Sequence, residues 1–158
     1  MHRFGKIENN EMVLNEMGNI AYNEWIKLTE RFPNFELDVF QIMPNHMHGI
    51  IVLNDTPVRA TLAVAQNEID KSNEIDLIGV GAGLAPAPTA VGDIVGAYKS
   101  LVANGCLDIY KSKNEIMGKL WQRNYYEHII RNEQSYQTIS EYIINNPAKW
   151  ENDKFYKQ

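Results

Sequence analysis

Residues 35–53 read FELDVFQIMPNHMHGIIVL, two apolar-rich arms on either side of Pro44-Asn45. Pro followed by Asn is good turn chemistry, because Pro presets its own backbone angle and Asn tolerates unusual ones. The arm FELDVFQIM therefore reads as a strand with Phe35, Leu37, Val39 and Gln41 on one face. HMHGIIVL reads as a second strand, antiparallel to the first. Strand side chains alternate, so His46 and His48 project together while Met47 points away. Two imidazoles so placed can hold one cation. Two half-buried histidines can equally well each find a hydrogen-bond partner, and the spacing alone leaves both readings open. A cation would also need a third ligand from elsewhere.

Upstream, FGKIENNEMVL (residues 4–14) reads as a hairpin turning at Asn9-Asn10. Asn15 can cap a helix running to about Arg31, with Met17, Ile20, Ala21, Trp25 and Leu28 as its apolar stripe and Pro33 closing it. Downstream, residues 54–90 are rich in Ala, Gly, Pro and Asn and read as an insertion or loop within a single domain spanning 1–158. The GVGAG inside it lacks the Lys-Ser/Thr of a nucleotide loop and runs into LAPAP instead of a helix. A second helix starts at Thr89 or Asp93, buries Val91, Ile94, Val95, Tyr98, Leu101 and Val102, and ends near Gly105. KLWQRNYYEHIIR (119–131) alternates as a strand does. Asn132 can cap a third helix, 133–146, which Pro147 terminates. The order implies an α+β fold, an antiparallel β-sheet with helices packed on it.

The composition is that of an ordinary globular protein, 44% hydrophobic and 22% charged. Cys106 is the single cysteine, so no disulfide can form within the chain. No apolar run approaches the ~20 residues of a membrane helix, and MHRFGKIENN has no signal-peptide core. The expected location is cytoplasmic, with no membrane partner. A net charge of −5 argues against a nucleic-acid partner, but the charge is uneven. Residues 96–158 carry 9 Lys+Arg against 7 Asp+Glu, a net of +2. A polyanion surface belongs in that last third.

On the third helix Tyr142 and Asn146 are four residues apart and so share one face. The Asn amide oxygen suits a hard cation. The Tyr phenol beside it is a nucleophile once activated by a metal or a base. The plainer reading is a core tyrosine and an asparagine that ends the helix before Pro147.

MPNHMHGIIVL (43–53) followed by LWQRNYYEHIIRNEQSYQTISEYIINNPAKW (120–150) resembles the single-tyrosine HUH transposases, and among them the REP-associated tyrosine transposases. The matching parts are Glu11–Leu53 and Asp93–Trp150. The resemblance implies a ferredoxin- or RRM-like HUH endonuclease fold. It implies metal-dependent nicking and strand transfer of single-stranded DNA, often hairpin-containing, through a 5′-phosphotyrosine. His46 and His48 would be the histidine pair, Asn146 the third metal ligand and Tyr142 the nucleophile. The cofactor would be Mg²⁺ or Mn²⁺, and the protein a monomer or homodimer. Lys99, Arg123, Tyr126, His128, Arg131 and Lys149 are the expected DNA contacts. Tyr125 and Tyr126 have no metal-ligating partner at helical spacing, and suit packing or base stacking better than nucleophilic attack.

Relatives in that family carry a further N-terminal segment with a strand of the YFVTICT kind, whereas this chain begins at MHRFGKIENN. Its absence would leave a central sheet position empty or filled by a partner chain. That leads to the alternative of a truncated or domesticated relative that binds DNA hairpins without transposing. A third reading is a metal-dependent hydrolase or cupin-like protein using His46, His48 and His128. Gly49–Asp55 lacks the Glu that a cupin places soon after its H-x-H.

Overall fold

The computed structural model describes residues 2–32, 34–54 and 90–156. Asn9 and Asn10 both adopt left-handed angles, φ 52° and 65°, as a tight two-residue hairpin requires. They join β1 (Gly5–Glu8) to β2 (Glu11–Leu14) in an antiparallel pair. Asn15 Oδ1 accepts from the Gly18 N–H at 2.9 Å and caps α1 (Glu16–Ile26). The helix expected to run on to Arg31 is interrupted at Lys27 and resumes as the single turn α2 (Leu28–Arg31). Pro33, expected to close it, lies outside the described residues.

β3 (Phe35–Ile42) and β4 (Met47–Leu53) form the expected antiparallel hairpin. A bulge lies between Leu37, paired with Ile51, and Phe40, paired with Gly49. Asp38 and Val39 thus oppose the single residue Ile50. The extra residue reverses the alternation of side chains beyond it. Val39 and Gln41 were expected to share a face with Phe35 and Leu37, but Phe40 and Ile42 take that role. Phe35 and Ile42 are buried in the core, with Leu37 and Phe40 packed against it.

Trp25 of α1 lies over the face carrying Phe40 and Gly49, and a Cβ added at Gly49 would come within 2.8 Å of its ring. Only a residue without a side chain lets the helix sit that close. His48 points the other way.

α3 (Val91–Ser112) buries Ile94, Tyr98, Val102 and Cys106, one residue per turn or so along a single stripe. It runs past Gly105, which therefore is no cap. Gly105 is instead a point of close helix contact, where a Cβ would meet Ile20 of α1 at 2.9 Å. Tyr98 Oη donates to the Ala21 carbonyl, tying the same two helices together. α4 (Glu133–Asn145) starts as expected, with Asn132 Oδ1 accepting from the Ser135 N–H, and gives way at Pro147 to a 3₁₀ turn, Pro147–Asn152. Tyr136 Oη donates to Asp38 Oδ2 at 2.8 Å, which fastens α4 to the bulge in β3.

Residues 119–131 do not form the expected strand. No described strand pairs with them, and an extended segment becomes a strand only through a ladder partner. Side chains hold the segment instead. Arg3 donates to the Met117 and Lys119 carbonyls, Lys99 to those of Gln122 and Asn124, and the Trp121 indole to that of Lys99. The fold is α+β, with its described strands in two separate two-stranded antiparallel sheets. Among the described residues no helix is long and apolar enough to cross a membrane. The 54–90 insertion and its GVGAG fall almost wholly outside the described residues.

Candidate metal centre

The turn at Pro44-Asn45 and the start of β4 bring His46 and His48 together, as the i, i+2 spacing predicts. Their Nε2 atoms are 3.0 Å apart. Two ligands about 2.1 Å from one cation lie about 3.0–3.4 Å from each other, depending on coordination geometry.

The tautomer of His46 follows from its neighbours. The Phe155 carbonyl can only accept, so the Asn45 group 2.8 Å from it is the donating Nδ2. Asn45 Oδ1 then faces His46 Nδ1 at 2.8 Å, and that nitrogen must carry the proton. His46 Nε2 is left with its lone pair aimed at His48. This is how a metal-binding histidine is usually held, with its other nitrogen donating to a fixed acceptor. Burial first, and the neighbouring His48 next, push the His46 pKa down to about 4. Burial lowers that of His48 as well. Both rings are therefore neutral at pH 7, the form that ligates.

α4 supplies the other two expected residues. The Tyr142 ring stands edge-on to His48, with centroids 5.3 Å apart. One turn later Asn146 is only 2% exposed, and its Oδ1 has no hydrogen-bond partner among the described residues. An orphaned buried acceptor is costly. The amide faces Asp153 with Nδ2 at 3.4 Å, and turned over it would offer this oxygen to a divalent cation. The residues present thus fit Mg²⁺ or Mn²⁺.

Asp153 joins the cluster without any signal in sequence spacing. His46, His48 and Asp153 each offer a ligand atom within 4.8 Å of the others. Asp153 Oδ2 accepts from Tyr142 Oη at 3.3 Å and from Asn146 Nδ2 at 3.4 Å, and its Oδ1 accepts from the Phe155 N–H at 2.6 Å. Burial opposes its ionisation, but the Phe155 N–H, His46 and the two side-chain donors together hold its pKa below the usual carboxylate value. Burial, and then the Asp153 charge, raise the pKa of Tyr142. Trp150 and Phe155 wall the His46 ring at centroid distances of 5.9 and 4.7 Å. Asn45 was legible in the sequence only as a turn residue, although its place directly before a candidate ligand was a local signal.

The expected DNA contacts are scattered. Lys149 lies exposed on the 3₁₀ turn next to Trp150 of the site wall. Lys99 is committed to the carbonyls of 122 and 124, and its ammonium sits 5.6 Å from the Tyr125 ring centroid. Arg123, Tyr126, His128 and Arg131 are exposed along the segment before α4, Tyr126 at 90%. His128 is not among the residues grouped with His46 and His48, which removes a ligand the hydrolase reading needs.

The fold and site define a class: α+β proteins in which a His-x-His strand faces a helix carrying Tyr and Asn one turn apart. The chain belongs to the family of an uncharacterized protein from Haemophilus influenzae (strain ATCC 51907 / DSM 11121 / KW20 / Rd). The two are 37% identical over 154 residues, covering 97% of this chain and 77% of that protein. No protein-family model matches the chain, and no solved structure matches it.

Proposed function

We propose that this protein is a metal-dependent nuclease and strand-transferase of single-stranded DNA that works through Tyr142, as its resemblance to single-tyrosine HUH transposases implies. One observation carries the reading. Tyr142, 46% exposed, packs on His48, while the buried Asn146 adjoins the same cluster through Nδ2 on Asp153 and has an unpartnered amide oxygen that a half-turn would bring there.

His46, His48 and Asn146 would hold Mg²⁺ or Mn²⁺. Such an ion supplies Lewis-acid polarisation of the scissile phosphate and stabilises charge on the departing oxygen. Tyr142 is 46% exposed, so a DNA backbone can reach it without rearrangement of the core. Its Oη attacks phosphorus and the bond to the 3′-oxygen breaks. The phenolic proton ends on that oxygen, leaving a free 3′-hydroxyl and a 5′-phosphotyrosine. The reverse step, with a different 3′-hydroxyl, joins strands without an external energy source. Lys149, exposed beside the site wall, would meet the phosphate backbone. Tyr126, 90% exposed, would suit base stacking.

The test is incubation with hairpin-flanked single-stranded DNA and Mn²⁺, followed by denaturing electrophoresis. The expected result is a denaturation-resistant adduct that disappears in Tyr142→Phe and persists in Tyr126→Phe. Tight binding without an adduct would replace this reading with that of a DNA-hairpin-binding relative.

A further inference from the structure

We propose that Asp153 is itself a ligand of the cation, giving the site four protein donors and making the chain's C-terminal turn part of it. The inference rests on the metal reading above and deepens it.

Two arguments carry it. The first is charge. His46, His48 and Asn146 are all neutral donors, and a hard divalent cation such as Mg²⁺ or Mn²⁺ favours at least one carboxylate. Among the described residues, Asp153 is the acidic side chain that groups with the two histidines. The second is construction. Asp153 and His46 are each held by a residue that is not a ligand, and Phe155 stands behind both of them. The Phe155 N–H fixes the Asp153 carboxylate at 2.6 Å, and the Phe155 carbonyl fixes Asn45, which fixes His46. Support of this kind behind metal ligands tunes their orientation and basicity. Asn146 reaches the carboxylate through Nδ2, and a half-turn of the amide exchanges that atom for the orphaned Oδ1. Two oxygens in contact are tolerable where a cation lies between them.

The experiment reads metal directly. Mn²⁺ is titrated into the full chain by calorimetry, with free Mn²⁺ followed by electron paramagnetic resonance. Asp153→Asn is expected to weaken binding at least tenfold, as is His48→Ala. Asp153→Glu, which keeps a carboxylate, is expected to recover part of the loss. An Asp153→Asn affinity equal to the parent's, with His48→Ala still impaired, would overturn the role of Asp153 and leave the histidine site standing. An unaltered chain that binds no Mn²⁺ would overturn both. Fe²⁺ and peroxide offer a measurement on the unmodified protein, since radicals cut the backbone beside the bound metal. Cuts are expected near both 46–48 and 152–154, and cuts confined to 46–48 would refute the proposal. Neither measurement depends on DNA, so a missing phosphotyrosine adduct would count against the nuclease reading alone.

Discussion

Asn45 Nδ2 donates to the carbonyl of Phe155 at 2.8 Å, a bond between residues 110 positions apart. It fastens the C-terminal turn to the loop before β4 and determines which nitrogen of His46 bears a proton. Asn45→Ala is therefore expected to have two separable effects. Stability should fall by about 1 kcal/mol, measured by urea unfolding, because one part-buried acceptor loses its donor. Mn²⁺ affinity should fall about tenfold, measured by calorimetry, because the His46 ring is no longer held. Unchanged affinity would mean that the tautomer is held by something else.

Acid should weaken the fold before the carboxylates titrate. The His46 pKa is depressed in the folded state, from 6.5 to about 4, so between those values the unfolded chain binds the extra proton. Its contribution is thus fully present above about pH 6.5 and is lost as pH falls toward 4. His48 shifts in the same direction. His46 is partly exposed, and solvent screening keeps its share to about 1–2 kcal/mol. Urea unfolding at about pH 7.5 and pH 5 should show this difference, and His46→Gln should shrink it. Equal stability of the parent protein at both pH values would contradict the burial of the pair.

Gly49 sits between His48 and the ring of Trp25. Gly49→Ala would put a carbon 2.8 Å from that ring. Trp25 is 4% exposed and packs against Phe40 and Tyr98, which oppose its moving away. The substitution is expected to cost about 1–3 kcal/mol and to lower the melting temperature by several degrees. A melting curve superimposable on the parent's would show that α1 can lift off β4 at no cost.

The 115–131 segment depends on side chains where a strand would depend on a ladder. Lys99→Ala removes the donor to the 122 and 124 carbonyls. Hydrogen exchange and tryptic cleavage at Arg123 are expected to speed up locally, with global stability changed by less than about 1 kcal/mol. A loss of stability across the whole protein would instead make this segment part of the cooperative core.

Local chemistry made much of this protein readable from its sequence. The Asn9-Asn10 hairpin, the Asn15 and Asn132 caps and the Pro44-Asn45 turn each depend on residues within a few positions of one another. The same holds for the alignment of His46 with His48 and of Tyr142 with Asn146, which follow from the periods of strand and helix. Tertiary structure decided the rest. The bulge at Asp38-Val39 inverted half of a strand's faces, and a bulge exists only in relation to a paired strand. Gly105 read as a helix end until Ile20 of another helix was seen to lie against it. The 119–131 segment had a strand's alternation and no partner. Asp153 entered the site because the turn after Pro147 folds back over His46, a long-range contact that spacing cannot encode. Sequence periodicity places residues on the faces of their own elements; only packing decides which faces meet.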